Sequence, residues 1–322
     1  MQVTPGGYAA PGVRRIAIPL PIPALKVVNV YLVEGTDRSL VDTGIHTDEA
    51  EAALRAGLAD AGVRLDGIAR TFVTHLHPDH FGLAGTLERA GSSIVMHRPE
   101  ADRARAVWAQ DHHLIDATHA WFDLHGMAAD VNEGMRQAWI AMATHVDDVE
   151  RIAVVDDGGT FDLGGRNARV IWTPGHTDHH AVLFDEDTGT LFAGDHVLPR
   201  ISSNIGLYSF SRDDPLGDFL ESLRRVRALP VRRVLPAHGE PFDDLGGRVD
   251  ELLEHHRLRL DSVLELCTGA DAYAIALRLF PRLRSAHEAR FALAETLAHL
   301  RHLERADRVI PTEERPIRWR AV

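Results

Sequence analysis

Thr74-His75-Leu76-His77-Pro78-Asp79-His80 is the stretch that decides the architecture of this chain. It reads H-x-H-x-D-H and ends a buried-strand pattern that starts at Ile68. Three later positions repeat the arrangement one residue at a time. His176 follows Thr173-Pro174-Gly175, Asp195 follows Phe192-Ala193-Gly194, and His238 follows Leu235-Pro236-Ala237. Seven potential ligands therefore sit in four places, each after a short apolar run closed by turn residues. Loops at strand ends are where chemistry concentrates. Neutral imidazoles and hard carboxylates suit zinc, and they also accommodate iron or manganese. His75 and His77, two apart, can project toward one ion, while Asp79 and His80 continue the turn toward a second. The set can hold two metal ions side by side, which points to a metal-dependent hydrolase.

Working outward, the flanking sequence alternates strands with helices. Arg15 to Ile18, Asn29 to Val33 and Ser39 to Asp42 read as short strands closed by Gly or Pro turns. The Ala-rich spacing predicts a helix over 47–61, with Thr47 or Asp48 as N-cap. After the strand Ile94 to Met96, residues 98–150 lose strand alternation and become rich in Ala, Met, Trp and His. They read as a helical insertion with ten acids and four bases. Strand patterns return at 152–155, 168–172, 181–184 and 190–193, followed by a helix over 215–229 and a strand at 233–235. Strands alternating with helices, twice over, imply an α/β layered domain. From Arg248 the pattern is helical, over 248–266, 272–280 and 288–306, and a Pro-containing hairpin over 308–320 ends the chain. The expected division is a catalytic domain over 1–247 and a small helical, winged-helix-like domain over 248–322.

The ordered ligand series resembles the metallo-β-lactamase superfamily over roughly residues 15 to 245. That resemblance implies an αββα sandwich with a dinuclear site. Carried over motif by motif, His75, His77 and His176 would bind the first metal, and Asp79, His80 and His238 the second, with Asp195 bridging. Asp42, in Leu40-Val41-Asp42-Thr43-Gly44, matches the family's supporting Asp behind the ligands. Two zinc ions per chain are the implied cofactor, with iron or manganese as substitutes. Water held between two cations loses a proton near pH 7, and the resulting hydroxide would attack a carbonyl or phosphorus centre. Asp79 and Asp195 are the expected catalytic carboxylates, Asp79 as a proton carrier to the leaving group.

Among branches of the superfamily, Pro236-Ala237-His238-Gly239-Glu240-Pro241 departs from the third motif expected of glyoxalase II. The tail, with His255-His256-Arg257-Leu258-Arg259, Glu295 to Glu304 and Ile317 to Arg320, is similar to the β-lactamase-like protein 2 branch. That branch includes an endoribonuclease active on single strands. The insertion departs from the compact form of that branch.

Charge bears on the choice. The chain carries 35 basic and 47 acidic residues, a net −12 that argues against nucleic acid as partner. Residues 250–322 hold 12 Arg and 12 acids, so the tail has no basic excess. The first reading is therefore a hydrolase of small, partly apolar esters, thioesters or lactones, roofed by residues 98–150. The alternative is a metal-dependent endoribonuclease or phosphodiesterase. A non-enzymatic binding module has no need of seven ligands.

Other positions are read more plainly. His179 and His180 support the ligand His176 by hydrogen bonding or packing. His112, His113, His119, His125 and His145 are too irregularly spaced to form a metal site. Trp108, Trp121, Phe122 and Trp139 form the core of the insertion. Asn204 and Tyr208 are candidate substrate-binding residues. Cys267 is the only cysteine, and Met1 to Val13 lack an apolar core of signal-peptide length. No apolar run approaches a membrane span, so the expectation is a cytoplasmic protein, with a homodimer compatible with an exposed tail.

Overall fold

The computed structural model describes residues 7–22, 25–109 and 112–322. The expectation about Met1 to Val13 falls in part on residues 1–6, outside the described residues. A first sheet runs in chain order through β1 (Tyr8–Ala10), β2 (Val13–Pro19), β3 (Val27–Val33), β4 (Ser39–Val41), β5 (Arg70–Val73), β6 (Ser93–His97) and β7 (Ile152–Val155). It is antiparallel from β1 to β4 and parallel from β4 to β7. A second sheet contains β8 (Thr160–Leu163), β9 (Arg166–Trp172), β10 (Ala181–Asp185), β11 (Thr190–Gly194) and β12 (Arg233–Pro236), with β11 and β12 parallel.

The two-residue period of a strand explains the layering. On β3, Tyr31 and Val33 face the inter-sheet core, while Val28, Val30 and Leu32 join the apolar layer behind the sheet. On β10, Ala181 and Leu183 point inward, and Val182 and Phe184 point outward. Strands buried on both faces read as continuous apolar runs, as they do here. Phe72, Phe161 and Phe192 anchor the middle of the sandwich. Truncating Phe72 to Ala should cost about 3–5 kcal/mol.

Helices cover the outer faces. α1 (Asp48–Asp60) begins where Thr47 accepts the Ala50 N–H, and it lies against β2. The one-turn α2 (Pro78–Phe81) starts with Pro at a position whose N–H needs no partner, and α3 (Ala84–Arg89) packs on β6. The 98–150 insertion is three helices, α4 (Arg98–Val107), α5 (His113–Leu124) and α6 (Ala129–Ala143). α7 (Pro215–Arg227) contributes Leu216, Phe219, Leu223 and Val226 to the buried layer.

The C-terminal residues form α8 (Leu245–Leu266), α9 (Ala272–Leu279) and α10 (Ala286–Arg305) with a sheet of β13 (Thr268–Asp271), β14 (Val309–Pro311) and β15 (Arg318–Ala321). β15 lies between the other two strands. The expected terminal hairpin is present, and β13 adds a third strand to it. Leu293, Leu297 and Leu300 of α10 share one apolar cluster with Met135 and Trp139 of α6 and Phe219 of α7. The tail is thus packed onto the sandwich, and α10 forms part of the wall around the site. Among the described residues, no helix is long and apolar enough to cross a membrane.

Candidate metal centre

All four ligand-bearing places lie at strand ends on one edge of the sandwich. β5 leads into His75 and His77, α2 carries Asp79 and His80, β9 leads to His176, β11 to Asp195 and β12 to His238. Gly194 makes the approach possible: a Cβ there would come within 2.6 Å of His180 Nε2 and 3.0 Å of Thr74 Cβ. Its φ of +50° is also one that glycine adopts freely.

His75 Nε2 lies 3.1 Å and His176 Nε2 3.0 Å from His77 Nδ1. The outer nitrogens settle what these atoms can be. His75 Nδ1–H donates to Thr74 Oγ1 at 3.0 Å, and His176 Nδ1–H to the Asn204 carbonyl at 2.9 Å. Both Nε2 atoms then present lone pairs to His77 Nδ1, which can offer at most one hydrogen. A cation at that point satisfies all three.

The second group is richer in carboxylate. Asp79 Oδ2 lies 3.7 Å from His80 Nε2 and 3.4 Å from His238 Nε2. Asp195 divides its oxygens: Oδ1 is 3.6 Å from His80 and 3.5 Å from His238, and Oδ2 is 3.4 Å from His176. His80 Nε2, His238 Nε2 and Asp195 Oδ1 are buried without a hydrogen-bond partner. His75, His77 and His176 form one compact set of ligand atoms, and Asp79, His80 and His238 form another. These orphaned atoms and facing lone pairs fit divalent metal, and Asp195 presents an oxygen toward each group.

The outer contacts orient the rings. His80 Nδ1–H donates to Asp42 Oδ2 at 2.9 Å, and His238 Nδ1–H to the Val27 carbonyl at 2.9 Å. Asp42 also accepts the Thr74 N–H and hydroxyl, so one carboxylate steadies both groups. It sits at φ 64°, a left-handed conformation that Asp tolerates better than most residues. Tyr31 and Asn29 of β3 donate to the Pro236 carbonyl and pin the turn that carries His238.

The two groups differ in protonation. Burial lowers the His75, His77 and His176 pKa values, keeping them neutral and ready to ligate. Burial opposes charge on His80 and His238 as well, but Asp79 and Asp195 overcome it. With Asp42 adding to its pull on His80, the two imidazoliums are held up to about 10 and about 9. Without metal, two protons stand in for a cation.

The remaining expectations separate. His180 Nε2 accepts the Asp195 N–H at 3.2 Å, and the ring is fixed by Thr173. The His179 ring stacks on Trp172. None of the histidines of the insertion joins the ligand groups. The Asn204 amide donates to the Phe291 carbonyl and to Glu295, on α10, rather than into the ligand groups. Its backbone carbonyl serves the site instead, by orienting His176. Tyr208 lies in an aromatic cluster with Phe122, Trp139 and Phe210.

One contributor escaped the sequence reading, and a second, Trp108, was read there only as core of the insertion. Glu100 is fully enclosed, and its Oε1 accepts the Leu76 N–H and the Thr177 hydroxyl, each at 2.9 Å. Trp108 Nε1–H donates to the Leu76 carbonyl at 2.9 Å. The segment that begins the insertion therefore grips the residue between His75 and His77 by both backbone groups. The available signal was a carboxylate on the stripe that α4 buries with Ala101, Ala104 and Val107.

Comparison with known proteins bears on the same residues. Residues 24–238 match the model of the metallo-beta-lactamase superfamily, and residues 260–322 match that of the metallo-beta-lactamase-like C-terminal domain. The chain is 31% identical to the probable metallo-hydrolase YqjP of Bacillus subtilis, over 90% of this chain and 92% of that protein. It is 28% identical to the beta-lactamase-like protein 2 homolog of Caenorhabditis elegans, over 75% of this chain and 66% of that one. It is 26% identical to the atrochrysone carboxyl ACP thioesterase of Aspergillus fumigatus, over 75% of this chain and 44% of that one. The crystal structure of a metallo-beta-lactamase family protein from Thermus thermophilus superposes with a TM-score of 0.88 at 36% identity, covering 97% of this chain and 99% of that one.

Proposed function

Because the chain belongs to the metallo-beta-lactamase superfamily, we propose that it is a dinuclear, zinc-dependent hydrolase of small, partly apolar esters, thioesters or lactones. The observation that carries this reading is Asp195, whose two oxygens face two separate histidine groups. When bound, two divalent cations lower the pKa of water held between them and polarise the scissile carbonyl.

The chain's own residues do the rest. Asp42, Thr74, Asn204 and Val27 hold the imidazoles in one tautomer, lone pairs inward. Asp79 turns one oxygen to His80 and His238 and has a second to carry a proton to the leaving group. Trp139 and Tyr208, packed on the buried Phe122, give an apolar aromatic surface suited to an acyl chain. The thioesterase among the relatives supports a thioester among the substrates.

Nucleic acid is the disfavoured substrate in this reading. Several arginines of the winged-helix-like tail are already neutralised, Arg257 by Glu254 and Asp261, Arg301 by Glu304, and Arg305 by Asp213. A cytoplasmic location suits the free, buried Cys267. The test is turnover of a panel of acyl thioesters, lactones and single-stranded RNA by zinc-loaded protein. Thioester or lactone hydrolysis that His77→Ala abolishes supports the reading; RNA cleavage alone overturns it.

A further inference from the structure

Arg290, on α10, is a guanidinium without an anion. Its Cζ lies 4.3 Å from the ring centre of Phe291, 4.8 Å from that of Trp139 and 5.9 Å from that of Tyr208. Its Nε is buried and donates to no acceptor. Among the described residues no carboxylate pairs with it. The side chain is half-buried, and aromatic faces offset only part of what a cation loses on leaving water. The site therefore suits a ligand that brings the missing charge.

The helix of Arg290 is joined to the loop that holds one of the ligand histidines. Arg290 adjoins Phe291, whose carbonyl accepts the Asn204 amide, while Asn204's own carbonyl orients His176. Ala294, one helical turn on, accepts the Leu207 N–H through its carbonyl at 3.0 Å. α10 is thus tied to the loop that fixes a ligand of the first group.

We propose that Arg290 binds an oxyanion of the substrate, a carboxylate or a phosphate set apart from the scissile carbonyl by a short apolar stem. The inference rests on the hydrolase reading above and narrows its substrates to anionic esters and thioesters. The planar fork of Arg matches two oxygens of such a group at once. Trp139 and Tyr208 flank it with apolar surface, which strengthens the pairing. A net charge of −12 repels anions at long range, so a local unpaired cation is what admits one.

The experiment compares zinc-loaded wild type with Arg290→Gln and Arg290→Lys. One pair of substrates is succinyl- and butyryl-N-acetylcysteamine, which differ by an acyl carboxylate. The other is butyryl-phosphopantetheine and butyryl-pantetheine, which differ by a leaving-group phosphate. In one of the pairs the ratio of kcat/KM, anionic over neutral, should fall about tenfold to a hundredfold in Arg290→Gln and recover in part in Arg290→Lys. The pair affected identifies the anion. An unchanged ratio in both pairs overturns the proposal. Titration of succinate and inorganic phosphate into metal-free protein, read by tryptophan fluorescence, is independent of turnover. Weaker binding of either anion in Arg290→Gln supports the proposal, and equal binding of both overturns it. If wild type hydrolyses none of the four thioesters, the thioester reading fails while the titration still decides Arg290.

Discussion

Glu100 accepts the Leu76 N–H across 2.9 Å, and this bond joins the insertion to the turn that presents His75 and His77. The same carboxylate oxygen accepts the Thr177 hydroxyl, next to His176. One buried group therefore sets the spacing of two ligand-bearing loops.

Burial raises the Glu100 pKa to about 7, although its two donors pull the other way. The folded protein then holds a proton that the unfolded chain has lost by about pH 4.5. Stability from this group is fully present below that value and is lost as pH rises through about 7. Glu100→Gln keeps the acceptor and removes the titration. The decline in unfolding free energy from pH 5 to 7 should be smaller in the variant, by on the order of 2 kcal/mol. Denaturant melts of both zinc-loaded proteins at each pH check this; parallel curves would contradict it.

Asp42 holds His80 directly and His75 through Thr74. Asp42→Ala should weaken metal binding by about 10- to 100-fold, as loss of a carboxylate behind a ligand does. Competition with a chromophoric chelator measures it. Unaltered affinity would mean that packing alone orients the imidazoles.

Metal uptake should expel protons. His80 and His238, held up to about 10 and about 9 by their carboxylates, are both protonated at pH 7 in the metal-free chain. Zinc binding at pH 7 should release about two protons per chain, and fewer as pH rises through 9. Calorimetry in buffers of different ionisation enthalpy counts them. Release of none at pH 7 would refute the proton-filled site.

The ligand set was legible because each residue follows an apolar run and a turn, a pattern local to a few positions. His75, His77, Asp79, His80, His176, Asp195 and His238 do converge. Asp42 was found by its motif, and its contact with His80 follows from the strand end that carries it. Glu100 was not legible, because its partners lie 24 and 77 residues away in sequence. Arg290 was hidden in a tail whose charge sums to zero. The contact of the Asn204 amide with a helix 87 residues further on was likewise hidden, because nothing near it in sequence announces that partner. β13, Thr268-Gly269-Ala270-Asp271, has little strand propensity and exists because β15 offers backbone partners. β8 is four residues long, too short for its Phe161 and Leu163 alternation to stand out.

The most direct test of the central claim is a zinc titration of metal-free protein, with turnover of an acyl thioester followed beside bound metal. Activity should rise until two zinc ions are bound per chain, and His238→Ala should bind one ion tightly and lose most turnover. Full activity at one ion, or two bound ions with no hydrolysis of any ester, thioester or lactone, would contradict the account.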